Sequence, residues 1–286
     1  MKRETVRCLD SRGFHRLRYY EWGDPANERI VVCVHGLTRT GRDFDFVAQS
    51  LSRDFRVICP DMPGRGESDR LAAASDYAYP LYLADLTTLI ARVTAHGEAK
   101  VAWVGTSMGA LAGIMLAALA DNPVAKLVAN DAGMIVPKAA LERIATYVGR
   151  AWKFESLDAL EAHVRRAYAP FGPLTDAQWR HLTETSAIRD ADGQWMQAYD
   201  PAIGDAFRGD LADVDLTPLW DAIRCPTLLL RGAESDVLTR ETAVAMTHRG
   251  PKARLVELDG IGHAPMLLDD AQVEIVRAFL LEPENE

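Results

Sequence analysis

The chain has 286 residues, of which 48% are hydrophobic and 26% are charged. That composition is typical of a soluble globular protein and excludes a fibrous or disordered chain. The chain has 41 acidic and 32 basic residues, which gives a net charge of −9. Because that charge would repel a phosphate backbone or an anionic membrane, we expect neither nucleic acid nor a membrane as a partner.

The N-terminal residues 1–24 include basic side chains but no apolar region with a small-residue cleavage site, so we expect a cytoplasmic protein. The most apolar stretch, Met108–Ala120, is shorter than the roughly 20 residues of a membrane span. The cysteines have no metal-ligand or CxxC spacing, which predicts reduced thiols and no metal. They are Cys8, Cys33, Cys59 and Cys225.

Short apolar runs alternate with helical stretches along the chain, and most runs are continuously β-branched or leucine-rich, as in a parallel sheet covered on both faces. The predicted strands are Arg16–Trp22, Ile30–Val34, Arg56–Cys59, Val101–Gly105, Lys126–Asn130, Thr227–Arg231 and Ala253–Leu258. The predicted helices between them are Phe44–Leu51, Pro80–His96, Met108–Ala120 and Asp270–Leu281. This alternation predicts a doubly wound α/β sheet.

From Pro137 to about Leu219 we predict no strand, and the periodicity favours helices over Lys138–Arg150, Ser156–Ala169 and Thr175–Thr185. The segment is rich in aromatic residues. They are Trp152, Phe154, Tyr168, Phe171, Trp179, Trp195, Tyr199 and Phe207. We expect a helical lid over residues 135–219, between core parts 1–134 and 220–286. The alternative is a second helical domain whose aromatic residues fill their own core.

The stretch WVGTSMGALAG, residues 103–113, places a serine between two glycines where a β-branched run meets a helix-forming one. Gly105 and Gly109 leave room for a sharp strand-to-helix turn that holds Ser107 in a strained conformation. Its hydroxyl would be exposed at a helix N-terminus, where partial positive charge favours a developing anion. This G-x-S-x-G pattern predicts a nucleophile elbow. The alternative is a tight glycine turn with a capping serine.

A serine nucleophile requires a base, and His263 lies in a glycine-rich loop between the last predicted strand and the last helix. The alternative for His263 is a capping role in a surface loop. An acid must orient the imidazole, and we favour Asp236, which follows the strand before that loop. Asp131, at the end of the strand after Ser107, is the rival acid, and Glu234 is a weaker third candidate.

An oxyanion hole requires preorganised donors, usually backbone N–H groups. One is expected from Met108, directly after the nucleophile. The other is expected from Leu37, because the preceding glycine in VHGLT lets the backbone turn its amides inward. His35 precedes this loop, and we expect it to pack beneath the loop rather than serve as the base.

At this point the chain resembles the α/β-hydrolase superfamily, over residues 14–281 apart from the lid. The resemblance rests on HGLT at 35–38, DMPGRGESD at 61–69, GTSMG at 105–109, SDVL around Asp236 and GIGHAPML at 260–267. Serine, acid and histidine also follow the order of that superfamily. The resemblance implies a mostly parallel eight-stranded sheet, a lid after the sixth strand, and hydrolysis that needs no cofactor or metal.

The nucleophile type narrows the chemistry, since relatives that open epoxides or cleave carbon–halogen bonds have aspartate in place of Ser107. Serine suits an esterase, lactonase or thioesterase, and also perhydrolases and the retro-Claisen C–C hydrolases of aromatic degradation. We favour hydrolysis of a small or medium carboxylic ester or lactone through an acyl-enzyme. A hydrolase-like ligand receptor with slow turnover is the alternative from another functional class.

The expected pocket is apolar with a few polar anchors. Its predicted lining residues are Leu37, Met108, Met134, Met266 and lid aromatics. Arg39 and Arg42 would lie near its mouth and could bind a carboxylate in a bidentate manner. The alternative is that both are solvated surface arginines. We expect a monomer or a homodimer.

Overall fold

The computed structural model describes residues 1–94 and 100–283. The described strands are β1 (Lys2–Asp10), β2 (Gly13–Trp22), β3 (Ile30–Val34), β4 (Arg56–Pro60), β5 (Val101–Thr106), β6 (Val124–Asn130), β7 (Ile135–Val136), β8 (Ala187–Arg189), β9 (Trp195–Gln197), β10 (Val214–Asp215), β11 (Thr227–Gly232) and β12 (Arg254–Leu258). Each of the seven predicted strands lies at one of these.

The described α-helices are α1 (Asp45–Leu51), α2 (Tyr79–Val93), α3 (Met108–Ala117), α4 (Lys138–Ala145), α5 (Leu157–Ala167), α6 (Asp176–Thr185), α7 (Thr217–Ala222), α8 (Arg240–Met246) and α9 (Asp270–Leu281). The predicted helix Pro80–His96 corresponds to α2, and its end at His96 lies outside the described residues. In residues 1–94 and 100–283, we find no helix with the length and apolar character needed to cross a membrane.

Eight strands form the main sheet in the order β1-β2-β4-β3-β5-β6-β11-β12. The pairs of β2 with β1 and β4 are antiparallel, and every other pair is parallel. The prediction of a mostly parallel, eight-stranded α/β sheet is therefore confirmed. Strand β1 was not predicted from the residues, because it is an edge strand in which only Val6 and Cys8 are buried.

Two apolar clusters cover the two faces of this sheet. One includes residues of α2 and α3 against strand residues such as Trp103 and Leu127. The other includes residues of α1 and α9 against Val31, Val104 and Leu228. Because both faces are covered, central strands such as β3 are buried along their whole length, which explains their continuous apolar sequence. The carboxyl ends of the parallel strands meet at one edge, where loops carry side chains together.

The inserted segment, residues 135–219, follows β6 and contains α4, α5 and α6. It also contains β7 to β10, which form two short antiparallel pairs. Because β8, β9 and β10 lie between Pro137 and Leu219, the prediction of no strand over that range is wrong. These strands have two or three residues each, too few to produce a sequence pattern. Phe171 and Trp179 share a buried cluster with other residues of the segment and with Met266 and Leu268 from the loop after β12, so these two aromatic side chains contact the core.

Candidate active site

Ser107 lies at the turn between β5 and α3, with φ 52° and ψ −113°. A Cβ on Gly105 would lie 2.2 Å from the carbonyl oxygen of Gly109, and one on Gly109 would lie 2.0 Å from that of Val34. Both contacts are impossible, so the turn needs glycine at both positions. The Ser107 N–H donates to the carbonyl of Asn130 at 2.9 Å, which ties the turn to β6.

His263 lies in the loop after β12 and is hydrogen-bonded to two polar side chains. Its Nε2 is 2.8 Å from Ser107 Oγ, and its Nδ1 is 2.8 Å from Asp131 Oδ2. The three side chains therefore form one continuous hydrogen-bonded chain. Nδ1–H donating to Asp131 leaves Nε2 as the acceptor for the serine proton, which is the arrangement of a general base.

Asp131 follows β6 directly, is fully buried and has a φ of 54°. Its second carboxylate oxygen accepts a hydrogen bond from the N–H of Gly232 at 2.9 Å, and its own N–H donates to Leu230 at 2.9 Å. Its neighbour Asn130 donates through Nδ2 to the carbonyl of Pro265 at 2.7 Å. Strand β6 thus holds both the carboxylate and the histidine loop in place.

Asp236 lies elsewhere, in the loop after β11. Its carboxylate accepts two hydrogen bonds from Arg143 of α4, at 2.5 and 2.9 Å, and its side chain is 46% exposed. Partial burial acts to raise the pKa of Asp236, but the hydrogen bonds and charge of Arg143 outweigh it and lower that pKa. Glu234 is exposed. The structure therefore corrects the preference for Asp236, since the aspartate that contacts His263 is Asp131.

His35 is buried beneath the loop after β3, as expected. Its Nδ1–H donates to the carbonyl of Gly36 at 2.7 Å, and its Nε2 accepts from the N–H of Met62 at 2.9 Å. Burial lowers the pKa of His35 to about 3, because desolvation penalises the charged imidazolium. A neutral ring with both nitrogens bonded to backbone supports the loop and is not free to transfer protons.

The backbone around Leu37 passes close to the serine, because a Cβ on Gly36 would lie 3.7 Å from that of Ser107. Met108 opens α3, where the first backbone N–H groups have no partner within the helix. Leu37 and Met108 thus both lie beside Ser107, and both line the larger cavity next to it. That their amides are the donors of an oxyanion hole stays a prediction.

Arg65, from the stretch DMPGRGESD, is a fully buried residue that the sequence did not single out. Its Nε–H donates to the carbonyl of Leu37 at 2.8 Å, and its Nη1 donates to the hydroxyl of Tyr82 at 2.8 Å. Its Nη2 lies 3.6 Å from the sulfur of Met108. One guanidinium therefore contacts the backbone of Leu37 and the side chain of Met108.

Two cavities meet at Ser107. The smaller, of about 70 Å³, is lined by His263, Thr38, Arg143, Tyr147, Tyr168 and Met266, among others. The larger, of about 460 Å³, is lined mainly by apolar side chains such as Met108, Leu111, Val136 and Phe207, with three tyrosines. Leu37, Ser107 and Ile144 line both. Ser107 thus lies at the boundary between a small cavity with several polar lining groups and a large, mainly apolar cavity.

The three residues predicted to bind substrate lie in different surroundings. Met266 lines the smaller cavity, whereas Met134 is buried and lines neither of the two. Arg39 is buried and directs Nε and Nη2 at both oxygens of Asp43, at 2.8 and 2.7 Å, so the expectation of a free carboxylate clamp is wrong. Arg42 is paired in the same way with Asp45. Local acidic partners at short spacing occupy both guanidinium groups.

A second group of polar residues lies away from these cavities, where β1 and β2 pack on α2. Cys8, His15 and Asp85 are buried with their potential ligand atoms within 4.8 Å of one another. His15 Nε2 is 2.8 Å from Asp85 Oδ2. Burial, together with the neighbouring Asp85, raises the pKa of the Cys8 thiol to about 12. A thiol, an imidazole and a carboxylate are thus grouped within the core.

The comparison with protein families agrees with this geometry. A model of the alpha/beta hydrolase family matches residues 31–278. The chain belongs to the alpha/beta hydrolase family.

Among its relatives, this alpha/beta hydrolase is 44% identical over 283 residues to a 3-hydroxybutyrate-oligomer hydrolase of Cupriavidus necator, covering 96% of each chain. It is 29% identical to a 2-(acetamidomethylene)succinate hydrolase of Mesorhizobium japonicum, covering 82% of this chain and 81% of the relative. A solved alpha/beta hydrolase from Novosphingobium aromaticivorans superimposes with a TM-score of 0.84 at 35% identity, covering 97% and 98% of the two chains. The relatives also include an esterase of Escherichia coli, 26% identical over 274 residues, which covers 89% of this chain and 94% of the relative.

Proposed function

We propose that this hydrolase cleaves carboxylic esters through an acyl-enzyme on Ser107. The observation that carries the proposal is the unbroken hydrogen-bonded chain from Asp131 through His263 to Ser107. His263 Nε2 takes the hydroxyl proton as Ser107 Oγ attacks the ester carbonyl, and Asp131 stabilises the imidazolium that forms. The amides of Leu37 and Met108 stabilise the negative oxygen of the tetrahedral intermediate.

Collapse of that intermediate expels the alcohol, which takes its proton from His263. Water then attacks the acyl-enzyme and gives up a proton to the same nitrogen, and a second collapse releases the acid and regenerates Ser107. Apart from substrate and water, these steps use only side chains and backbone amides of this chain. Asp131 keeps one position throughout because Gly232 holds its second oxygen.

For the substrate we propose short oligoesters of a hydroxy acid such as 3-hydroxybutyrate. The support is the relative of that activity, whose 44% identity extends over nearly the whole of both chains. The two cavities also suit an ester with one larger apolar part and one small polar part. The proposed partner is thus a small molecule, and the reaction needs neither nucleic acid nor a membrane.

We further propose that the inserted segment acts as a lid over the serine. Residues of this segment line both cavities: Arg143, Tyr147 and Tyr168 face the smaller one, and Ile203 and Phe207 face the larger. A segment so placed limits the access of bulk water to the site and shapes the space for substrate.

The proposed chemistry is tested with p-nitrophenyl butyrate and an active-site phosphonate. We expect hydrolysis, and a mass increase on Ser107 after phosphonate treatment. Ser107→Ala and His263→Ala should each lower kcat by roughly 10⁵-fold or more, and by similar factors, because the two side chains act as one unit. Absence of both turnover and label would contradict the proposal. One slow turnover with retained product would favour the receptor alternative, and faster cleavage of a C–C substrate than of any ester would favour the C–C hydrolase.

A further inference from the structure

The two cavities differ in which parts of the site they contact. His263 lines the smaller cavity but not the larger, whereas Met108 lines the larger but not the smaller. Ser107 lines both. The group that donates a proton to the departing alcohol therefore faces only one of the two spaces.

This asymmetry sets the direction in which an ester binds. The alkoxide oxygen that leaves must take its proton from His263 Nε2, so it lies within hydrogen-bond reach of that nitrogen. The leaving group then extends into the smaller cavity of about 70 Å³. The acyl part is directed to the opposite side of Ser107, into the apolar cavity of about 460 Å³.

We infer that Arg143 in the smaller cavity binds the free carboxylate of the leaving hydroxy acid, so that the enzyme removes one short hydroxy acid at a time from the carboxyl end of an oligoester. The inference rests on the proposed ester hydrolysis at Ser107. The reaction is balanced by one water molecule. The acyl–oxygen bond breaks, the shortened oligomer gains the hydroxyl of water as its new carboxyl group, and the released hydroxy acid gains the proton on its former ester oxygen.

Arg143 is suited to this role by its exposure and by its remaining donors. Its side chain is 41% exposed, and it lines the same cavity as His263. Asp236 accepts from Nε and Nη2, and Tyr147 is a further hydrogen-bonding partner of the guanidinium. Because a guanidinium has five N–H donors, two of them remain for a second carboxylate. Asp236 keeps the guanidinium in one orientation, as a fixed partner does for a ligand-binding arginine.

The other charged groups of the smaller cavity do not compete for this role. Arg39 also lines it, but its guanidinium is bound to Asp43, with further contacts to Ser186 and Leu182. The side chain of Arg39 is also only 5% exposed, compared with 41% for Arg143. Arg143 is thus the arginine of this cavity lining with an exposed guanidinium.

The small cavity also limits the length of the leaving group. Tyr168 is fixed there by contacts of its hydroxyl with Thr38 Oγ1 at 3.0 Å and with Gln197 Nε2 at 2.8 Å. Phe171 stacks on the Tyr168 ring, with centroids 4.9 Å apart. The small volume beside these fixed rings suits a single hydroxy acid, whereas the large apolar cavity can hold the remaining chain.

The test compares a 3-hydroxybutyrate trimer that has a free carboxylate with the same trimer capped as a methyl ester. We expect kcat/KM to favour the free acid by about 10- to 100-fold, the range for a hydrogen bond to a charged group. In Arg143→Gln this ratio should fall to near 1, mainly through a higher KM for the free acid. Arg143→Lys should retain part of the preference because it keeps the charge.

Lys138→Gln is the matched control, since it removes one positive charge from the exposed surface of the same helix, where Lys138 pairs with Glu142. It should keep the full preference for the free acid. A trimer with a deuterated carboxyl-terminal unit should release that unit first as labelled monomer. Early release of labelled dimer, or a wild-type ratio near 1, would overturn the inference even if Arg143→Gln fails to fold.

The two proposals fail in distinguishable ways. If phosphonate labels Ser107 and p-nitrophenyl butyrate is hydrolysed while free and capped trimers react equally, the carboxylate subsite is wrong and the ester chemistry stands. If neither label nor turnover occurs with any ester, the proposed function itself is wrong.

Discussion

The neighbouring strands β6 and β11 each lead to an aspartate, and the two aspartates have opposite surroundings. Asp131 follows β6 at once, is fully buried and holds His263. Asp236 lies farther along the loop after β11, is about half exposed and holds Arg143 of the inserted segment. One carboxylate is thus part of the serine site, and the other connects the core to the segment above it.

The difference shows that the distance of each aspartate from the end of its strand decides which side chain its carboxylate contacts. Directly after β6, the backbone of Asp131 is still hydrogen-bonded to β11, so Asp131 stays at the end of the sheet, where its carboxylate contacts Gly232 and His263. After β11, the turn closed by Ser235, whose Oγ accepts from Val237 and Leu238, carries Asp236 away from that edge. The position of an aspartate in sequence after a strand therefore predicts its contact with His263 less well than the hydrogen-bond register at the end of that strand.

The largest expected effect comes from exchanging the two acids for amides. Asp131→Asn should lower kcat for p-nitrophenyl butyrate by about 10⁴-fold, because an amide does not stabilise the imidazolium and favours the wrong tautomer. Asp236→Asn should lower it by less than about tenfold, because that carboxylate does not contact His263. Steady-state kinetics of both variants, with thermal unfolding to verify folding, makes the comparison.

The opposite ranking of these two variants would return Asp236 to the role of orienting acid. It would mean that the inserted segment moves during the reaction and releases Asp236 from Arg143. Equal losses would mean that both carboxylates act on His263 in turn.

An intermediate effect is expected from Gly232→Ala, which tests the support of Asp131. A Cβ there would lie 2.2 Å from the carbonyl oxygen of Gly262, so the histidine loop must move away from the carboxylate. A displacement of about 1 Å is expected to lower kcat by about 10²-fold. Gly260→Ala is the control in the same loop, since a Cβ there meets nothing within 4 Å, although its φ of +69° adds backbone strain.

If Gly232→Ala and Gly260→Ala lose activity equally at equal stability, contact between β11 and the histidine loop is not what places His263. The comparison should use kcat together with the free energy of unfolding in urea, so that strain and displacement are separated.

The smallest expected effect concerns the stability that Asp236 contributes. Arg143 lowers the pKa of Asp236 below its ordinary 3.8, so its contribution is present above that pH and is lost as the pH falls through the lowered value. Because the pair is about half exposed, Asp236→Asn should cost at most about 1 kcal/mol at pH 7. In urea unfolding from pH 7 down to 3, the gap between wild type and variant should close below about pH 4. A gap that widens toward acid would contradict this sign.

Much of the molecule could be predicted from sequence. Continuous apolar runs such as Ile30–Val34 predict buried parallel strands, because only a strand covered on both faces needs apolar side chains on both. The glycines around Ser107 predict the elbow. In the structure, the positions that a Cβ would take on Gly105 and Gly109 are occupied by backbone oxygens. Polar edge strand β1 and the short strands of the inserted segment gave no comparable signal.

By itself, then, the sequence determined the α/β class, the serine at a strained turn and the histidine loop beyond the last strand, because these depend on local backbone requirements and on patterns of burial. Only the tertiary structure decided that Asp131 contacts His263, that Arg39 is held by Asp43, and that Arg143 faces the smaller cavity. Those outcomes depend on distances between loops of different strands, which follow from sheet order and register and not from spacing along the chain.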